Sequence, residues 1–594
     1  MKQLKNPISF LVLLLFSPFS QAFSQAPVSY GIEFPNAVHH EAEITMTLTD
    51  KSMDTLFVKM SRSSPGRYAV HEFAKNVYNF KAADASGKAL NIFRPDPYTW
   101  GITGQDGPVT VSYTLFGNRG DGTYSQIDET HAHLNMPATF MYAPAYVDEA
   151  MELKFDLTGH SDWKIATQLK KDNETTYQAP NLQYFMDSPI EVSNFEKESF
   201  EVNSNGKTYT INFTLHHQGS HEDFMTYFEQ VKKVVLEEEK VFGSLPDYDF
   251  GEYTFLACYM PQASGDGMEH RNSTVITSTR ALAEGGMSGN IGTVSHEFFH
   301  CWNVERIRPQ SLEPFDFSQA NMSGELWFAE GFTSYYTNLI LCRAGIMTPD
   351  KYITGLKGTF NYVWNTPGTQ FFNPIGMSYQ APFVDAATSI DPVNRHNTFI
   401  SYYSYGSVLG LALDLSLRKE GLNLDDFMKE MWQEYGMKEH PYTVKNIEHT
   451  LRAYAGSPFA TAFFAKYIYN SEMPDYKNLL ADMGIDLSTD ETAPYTGLKM
   501  NKEGMLGSVY MGSPAYNAGL ESGDEILTIN GASALESDIL KKTKPGDHLV
   551  ISYKRFGEVR NAQIKVEKDP EYTLSIAPEQ TKKTDRKRSE WLKQ

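Results

Sequence analysis

The sequence predicts a multidomain α+β chain with an N-terminal antiparallel β domain, a mainly helical domain and a small C-terminal domain rich in short strands. Three observations carry this expectation. At 594 residues the chain is too long for one hydrophobic core. Over residues 27–215, short runs such as 43–48 and 109–115 alternate apolar with polar residues between Gly, Pro, Asp and Asn, the period of half-buried strands. From about His221 the apolar residues recur at helical spacing, as in Phe224, Phe228, Val231 and Val234, and short strand-like runs return after about Thr492.

Taken in order, residues 1–26 come first. Lys2 and Lys5 precede an apolar run from Ile8 to Phe19, then small residues around Ala22 and Ala26, the pattern of a secretory signal peptide. The run is short of the roughly 20 residues needed to span a bilayer, so the expectation is an exported protein, periplasmic or secreted, with no stable membrane span. The expected divisions are then 27–215 for the β domain, 216–490 for the helical domain, 491–570 for the C-terminal domain and 571–594 for a polar, frayed tail.

Bulk composition narrows the function classes. Apolar content of 41% with 21% charged residues suits a folded chain, and a formal charge of −21 argues against sequence-independent nucleic-acid binding, which needs clustered Lys and Arg. Only Cys258, Cys301 and Cys342 occur, too few for a disulfide framework. Cys301, although next to His300, reads as a small core residue rather than a ligand.

The chemistry concentrates in His296-Glu297-Phe298-Phe299-His300. On a helix, residues four apart share a face, so His296 and His300 can hold one metal ion, expected to be a single zinc per chain. Glu297, one position round, is placed as the general base. A catalytic zinc site needs three protein ligands and an open position. Glu330, in a second amphipathic segment beginning near Leu326, is the best third candidate; Glu305, Glu313 and Glu325 read as surface charge in and beside a loop from 306 to 323.

Trp327-Phe328-Ala329-Glu330-Gly331-Phe332 after such a pentad resembles the gluzincin metallopeptidases, and the string from His296 to Pro309 resembles the glycyl aminopeptidase family of PDZ-containing metallopeptidases. The resemblance implies a thermolysin-like catalytic domain. It also implies that Gly267-Met268-Glu269 lie on the strand edging the cleft, with Glu269 taking the substrate's free α-amino group. Within Tyr402-Tyr403-Ser404-Tyr405-Gly406 it assigns the oxyanion-stabilising hydroxyl to Tyr403, with Tyr402 and Tyr405 as rivals. Residues 64–68, 162–167 and 187–191 match the family too and look structural. The run from Gly512 to Gly531 resembles a PDZ domain, which can take a peptide C-terminus by strand addition, with Met505-Leu506-Gly507-Ser508 as the expected carboxylate loop.

The function expected on these grounds is a zinc aminopeptidase acting on peptides with a free N-terminus, with preference for a small first residue, Gly or Ala, implied by the resemblance. The rivals are a zinc endopeptidase and a PDZ-based peptide-binding scaffold.

Overall fold

A computed structural model describes residues 26–385, 392–536 and 538–592. The expected leader, residues 1–26, lies outside these but for Ala26. The N-terminal region is built on a seven-stranded sheet in which Val28–Asn36 is central, antiparallel to Glu41–Leu48 and parallel to Met151–Asp156. Val28, Tyr30, Ile32 and Phe34 point inward from that strand and the residues between them outward, as the sequence alternation requires. A three-stranded and a four-stranded sheet close over the same core. The four-stranded one contains Lys164–Thr167, Ile190–Ser193, His131–Leu134 and Gln126–Ile127.

Residues 196–215, expected with the β domain, belong instead to the next sheet. Glu196–Ser204 and Lys207–His217 form a hairpin whose second strand pairs in parallel with Glu252–Tyr259. The helix His221–Phe242 makes the crossover and covers one face with Phe224, Tyr227, Phe228, Val231, Val234 and Val235. Alternation identifies a strand but not the sheet it joins, so the period could not distinguish these residues from those before them. The five strands run in the order Glu196–Ser204, Lys207–His217, Glu252–Tyr259, Ser273–Ser278, Asp266–His270, which leaves the last at an edge.

Of the helices that matter for the site, Gly286–Phe299 packs against this sheet, Leu326–Arg343 packs on that helix, and Tyr402–Lys419 packs on Leu326–Arg343. The last two cross where Gly331 meets Gly406. A Cβ on Gly331 would lie 2.3 Å from the Gly406 Cα, and one on Gly406 would lie 1.9 Å from the Trp327 carbonyl oxygen. Only glycine permits so close a crossing. It holds Glu330 and Tyr403, one residue and three residues from the contact, in fixed relation.

The loop from 306 to 323 is irregular apart from one short turn, Gln310–Leu312, as expected. Two of its flanking acids are not surface charges. Glu325 accepts from the Val444 amide at 3.0 Å and from the Ser323 hydroxyl at 2.7 Å, and half-buried Glu305 lies 3.5 Å from Arg308. Their polar partners are distant in sequence or in a loop, where spacing carries no signal.

The C-terminal region has its own core of Leu506, Ile526, Ile551 and Ile564 under a four-stranded sheet. The amides of Met505, Leu506 and Gly507 are already bonded, to the Asn501 side chain and to the carbonyls of Asp524 and Lys499. Those three amides are therefore not free to hold a carboxylate. The chain then returns: Tyr572–Ile576 pairs with Ile485–Thr489, and Lys582–Leu592 forms a helix rather than a frayed tail. Trp591 and Leu592 are fully buried, and the Trp591 indole donates to the Tyr335 hydroxyl at 3.0 Å. Two apolar residues at the end of a polar run anchor the helix, too few to produce a periodic pattern. No helix among the described residues is long and apolar enough to cross a membrane.

Candidate metal centre

His296 lies near the end of the Gly286–Phe299 helix and His300 at its C-cap, so their rings sit 4.7 Å apart, nearly perpendicular. Glu330 enters from the Leu326–Arg343 helix with its Oε2 3.6 Å from His296 Nε2 and 3.3 Å from His300 Nε2. One donor atom from each of the three falls within 4.8 Å of the others. Outer contacts hold each ligand. His300 Nδ1 donates to the Asn303 carbonyl at 2.6 Å, which turns Nε2 toward Glu330. Asn303 in turn donates to the carbonyls of Phe328 and Ala329, tying the loop after the pentad to the second helix. His296 Nδ1 is 3.1 Å from the Thr337 hydroxyl. Tyr68, from the N-terminal region, donates to Glu330 Oε1 at 2.7 Å.

The donor set suits zinc. Glu330 Oε2 is buried with no hydrogen-bond partner, and two nitrogens and one oxygen converge where a three-ligand catalytic site needs them. The electrostatics agree. Burial, together with the Glu269 and Glu330 charges, pushes the Glu297 carboxyl well above its usual range. Burial works against a charged His300, yet Glu330 and Glu269 push it up to about 10. Burial opposes ionisation of Glu330 as well, and the two imidazoles nevertheless hold it below the usual range. Three buried carboxylates facing two imidazoles are short of positive charge, which a divalent ion supplies.

A cavity of about 580 Å3 opens over these residues, with Glu269, Glu297 and Tyr403 in its wall. A second, of about 560 Å3, lies on the other side of His296 and Tyr403, walled by Ser334, Asn338 and Tyr352. The edge strand Asp266–His270 explains why a glycine stands at 267: a Cβ there would lie 2.1 Å from Glu297 Oε1. Glu269, two residues on and so on the same face, is buried beside Gly66. Met268, expected among the substrate-binding residues, lines neither cavity: it is buried with Ala166, Phe195, Leu256 and Val275, its Sδ packed close under Gly66.

Of the three tyrosines, Tyr405 is buried against Trp364 and lines neither cavity. Tyr402 is fully buried, edge-on to Tyr68. Tyr403 lines both cavities, its ring 5.9 Å from that of His296.

Residues 64–68, read from the sequence as structural, are part of this site. Gly66, Arg67 and Tyr68 line the cavity; Arg67 pairs with Asp266 and donates to the Thr123 hydroxyl at 2.6 Å. Asp266 also accepts from the Gly122 amide at 3.0 Å. Their one sequence signal was a Gly-Arg-Tyr string in a loop, with nothing to place it more than 200 residues away against the pentad.

Comparison with known proteins gives three segment matches: residues 29–194 with the peptidase M61 N-terminal domain, 289–409 with the M61 glycyl aminopeptidase, and 481–566 with a PDZ domain. No curated protein matches the chain. Among solved structures, an aminopeptidase N family protein from Idiomarina loihiensis is similar over 95% of this chain and 100% of its own, with TM-score 0.82 and 22% identity, which shows a shared fold. An M1 zinc metallopeptidase variant from Deinococcus radiodurans, bound to a Tyr-Ser-Ala substrate, covers 75% of this chain and 94% of its own at TM-score 0.46 and 11% identity. Legionella pneumophila aminopeptidase A in complex with aspartic acid covers 94% and 58% at TM-score 0.43 and 11% identity.

Proposed function

From the membership of this chain in the M61 glycyl aminopeptidase family, a family of metallo-aminopeptidases with a PDZ domain here at the C-terminal side, we propose that it removes the first residue of peptides by metal-assisted hydrolysis. The observation that carries the reading is the convergence of His296, His300 and Glu330 in a cavity whose wall holds Glu297 and Glu269. Bound by those three ligands, zinc supplies a Lewis acid that acidifies water and polarises the scissile carbonyl.

The other steps belong to side chains. Glu297, as the carboxylate, takes a proton from water and returns it to the leaving amine. Tyr403 donates its hydroxyl to the carbonyl oxygen as negative charge builds there. Glu269 pairs with the substrate's ammonium group, which sets the register at one residue and excludes chains whose terminus is blocked. The first side chain then shares the cavity with Tyr68, Tyr402 and Arg67, and the preference for Gly or Ala there rests on the resemblance to the glycyl aminopeptidase family. The proposal includes export to the periplasm or beyond, supported by the leader-like composition of residues 1–26.

The test is Glu297→Gln. It keeps the size of the side chain and removes the base, so zinc content should stay at the wild-type level while turnover falls by about 10²–10⁴. A variant that retains wild-type turnover refutes the assignment of Glu297.

A further inference from the structure

A second cluster of metal-binding side chains lies outside the cavity, where the N-terminal region meets the five-stranded sheet. His131, His216 and Cys258 each place a donor atom within 4.8 Å of the others, and all three are buried. His216 and Cys258 are register partners on the parallel strands Lys207–His217 and Glu252–Tyr259, with Cys258 Sγ 3.5 Å from His216 Nδ1. His131 comes from the facing four-stranded sheet, its ring centroid 4.7 Å from that of His216. From the same sheet, Glu191 brings its Oε1 to 3.8 Å from His216 Nδ1.

Two atoms of the cluster have no partner although they are buried: His131 Nε2 and Glu191 Oε1. Buried polar atoms are rarely left so, and two in one cluster ask for something between them. The remaining atoms are held as outer contacts of a metal site are held. His131 Nδ1 faces the Thr130 hydroxyl at 3.0 Å and the Asp128 carboxylate at 3.5 Å, which turns Nε2 inward. Glu191 Oε2 lies 3.3 Å from His133 Nδ1, which leaves Oε1 for the centre of the cluster.

We infer that His131, His216, Cys258 and Glu191 form a second zinc site, closed and structural, beyond the one catalytic ion. Thiolate, imidazole and carboxylate are the donors zinc takes, four of them fill its tetrahedral shell, and burial leaves no open position for water or substrate. The ion joins strands of the N-terminal region to strands of the central sheet. It thereby fixes how Gly66, Arg67 and Tyr68 are held over the cavity, since they belong to the first, Glu269 to the second, and Glu297 to the helix packed on the second. Nothing in this inference rests on the peptidase reading.

The experiment is cobalt substitution of the full-length protein with metal analysis. A thiolate bound to Co(II) gives a charge-transfer band in the near ultraviolet that a site of two histidines and one glutamate does not give. The wild type should bind two ions per chain and show the band. Cys258→Ser should lose the band and one ion, while the double variant His296→Ala, His300→Ala should lose one ion and keep the band. Should Cys258→Ser fail to fold, the wild-type spectrum and the double variant decide the matter. One ion per chain with no band in the wild type overturns the inference, as does a Cys258→Ser protein that keeps both ions and the band.

Discussion

Replacing Gly267 with alanine puts a methyl group where the catalytic carboxylate sits. The added Cβ would stand 2.1 Å from Glu297 Oε1, 2.6 Å from its Cδ and 2.8 Å from its Cγ. Ordinary contact between such atoms begins near 3.5 Å, so the carboxylate must retreat by more than about 1 Å. The obstacle is the end of a flexible side chain, and Gly267 is not among the glycines with positive φ, so the backbone accepts alanine. Stability should therefore hold within about 0.5 kcal/mol of wild type. Activity should not. A displacement of that size at a reacting group costs about 10²-fold in kcat, or roughly 2.7 kcal/mol of barrier. Glu297 is not a metal ligand in this scheme, so zinc content should be unchanged. The control is Gly265→Ala, two residues earlier, where a Cβ meets nothing within 4 Å. The assay is steady-state hydrolysis of an aminoacyl substrate alongside thermal unfolding and metal analysis of both variants. If Gly267→Ala turns over like Gly265→Ala, Glu297 is not held against the edge strand in the working enzyme and the reasoning fails.

Two further outcomes follow from contacts that cross the molecule. Tyr68→Phe removes the hydroxyl that donates to Glu330 Oε1; zinc affinity, read by chelator competition, should fall by about 10–100-fold with little loss of stability, and unchanged affinity would show that Tyr68 does not orient the ligand. Trp591→Ala empties a fully buried site and frees the Tyr335 hydroxyl; the catalytic region should lose about 3–5 kcal/mol, seen as a lower unfolding temperature, whereas an unshifted transition would return the C-terminal helix to the status of a loose tail.

How far the sequence carried these conclusions depends on how locally each feature is encoded. His296, Glu297 and His300 were legible because one helical turn brings them together, and Glu330 because it follows in the next helical run, which was expected to be amphipathic but is buried on nearly all sides. Gly267, Met268 and Glu269 came from the resemblance alone; Gly267 and Glu269 line the cavity, whereas Met268 is buried in an apolar cluster. Arg67 and Tyr68 were not legible as site residues, since their partners Asp266 and Glu330 lie 199 and 262 positions away. The His131–His216–Cys258 cluster was invisible for the same reason: its members come from strands of different sheets with no common spacing. The strands at 196–217 were recognised as strands and misassigned in sheet, because the crossover that decides their pairing lies in the helix that follows.

The most direct measurement compares one short peptide with a free and an acetylated N-terminus, with and without a chelator and after zinc is restored. Release of the first residue from the free peptide alone, abolished by the chelator and regained with zinc, is the expected result, because Glu269 has no ammonium group to hold in the blocked peptide. Equal cleavage of both peptides would contradict the role given to Glu269 and make the enzyme an endopeptidase; cleavage that survives complete removal of the metal would contradict the site itself.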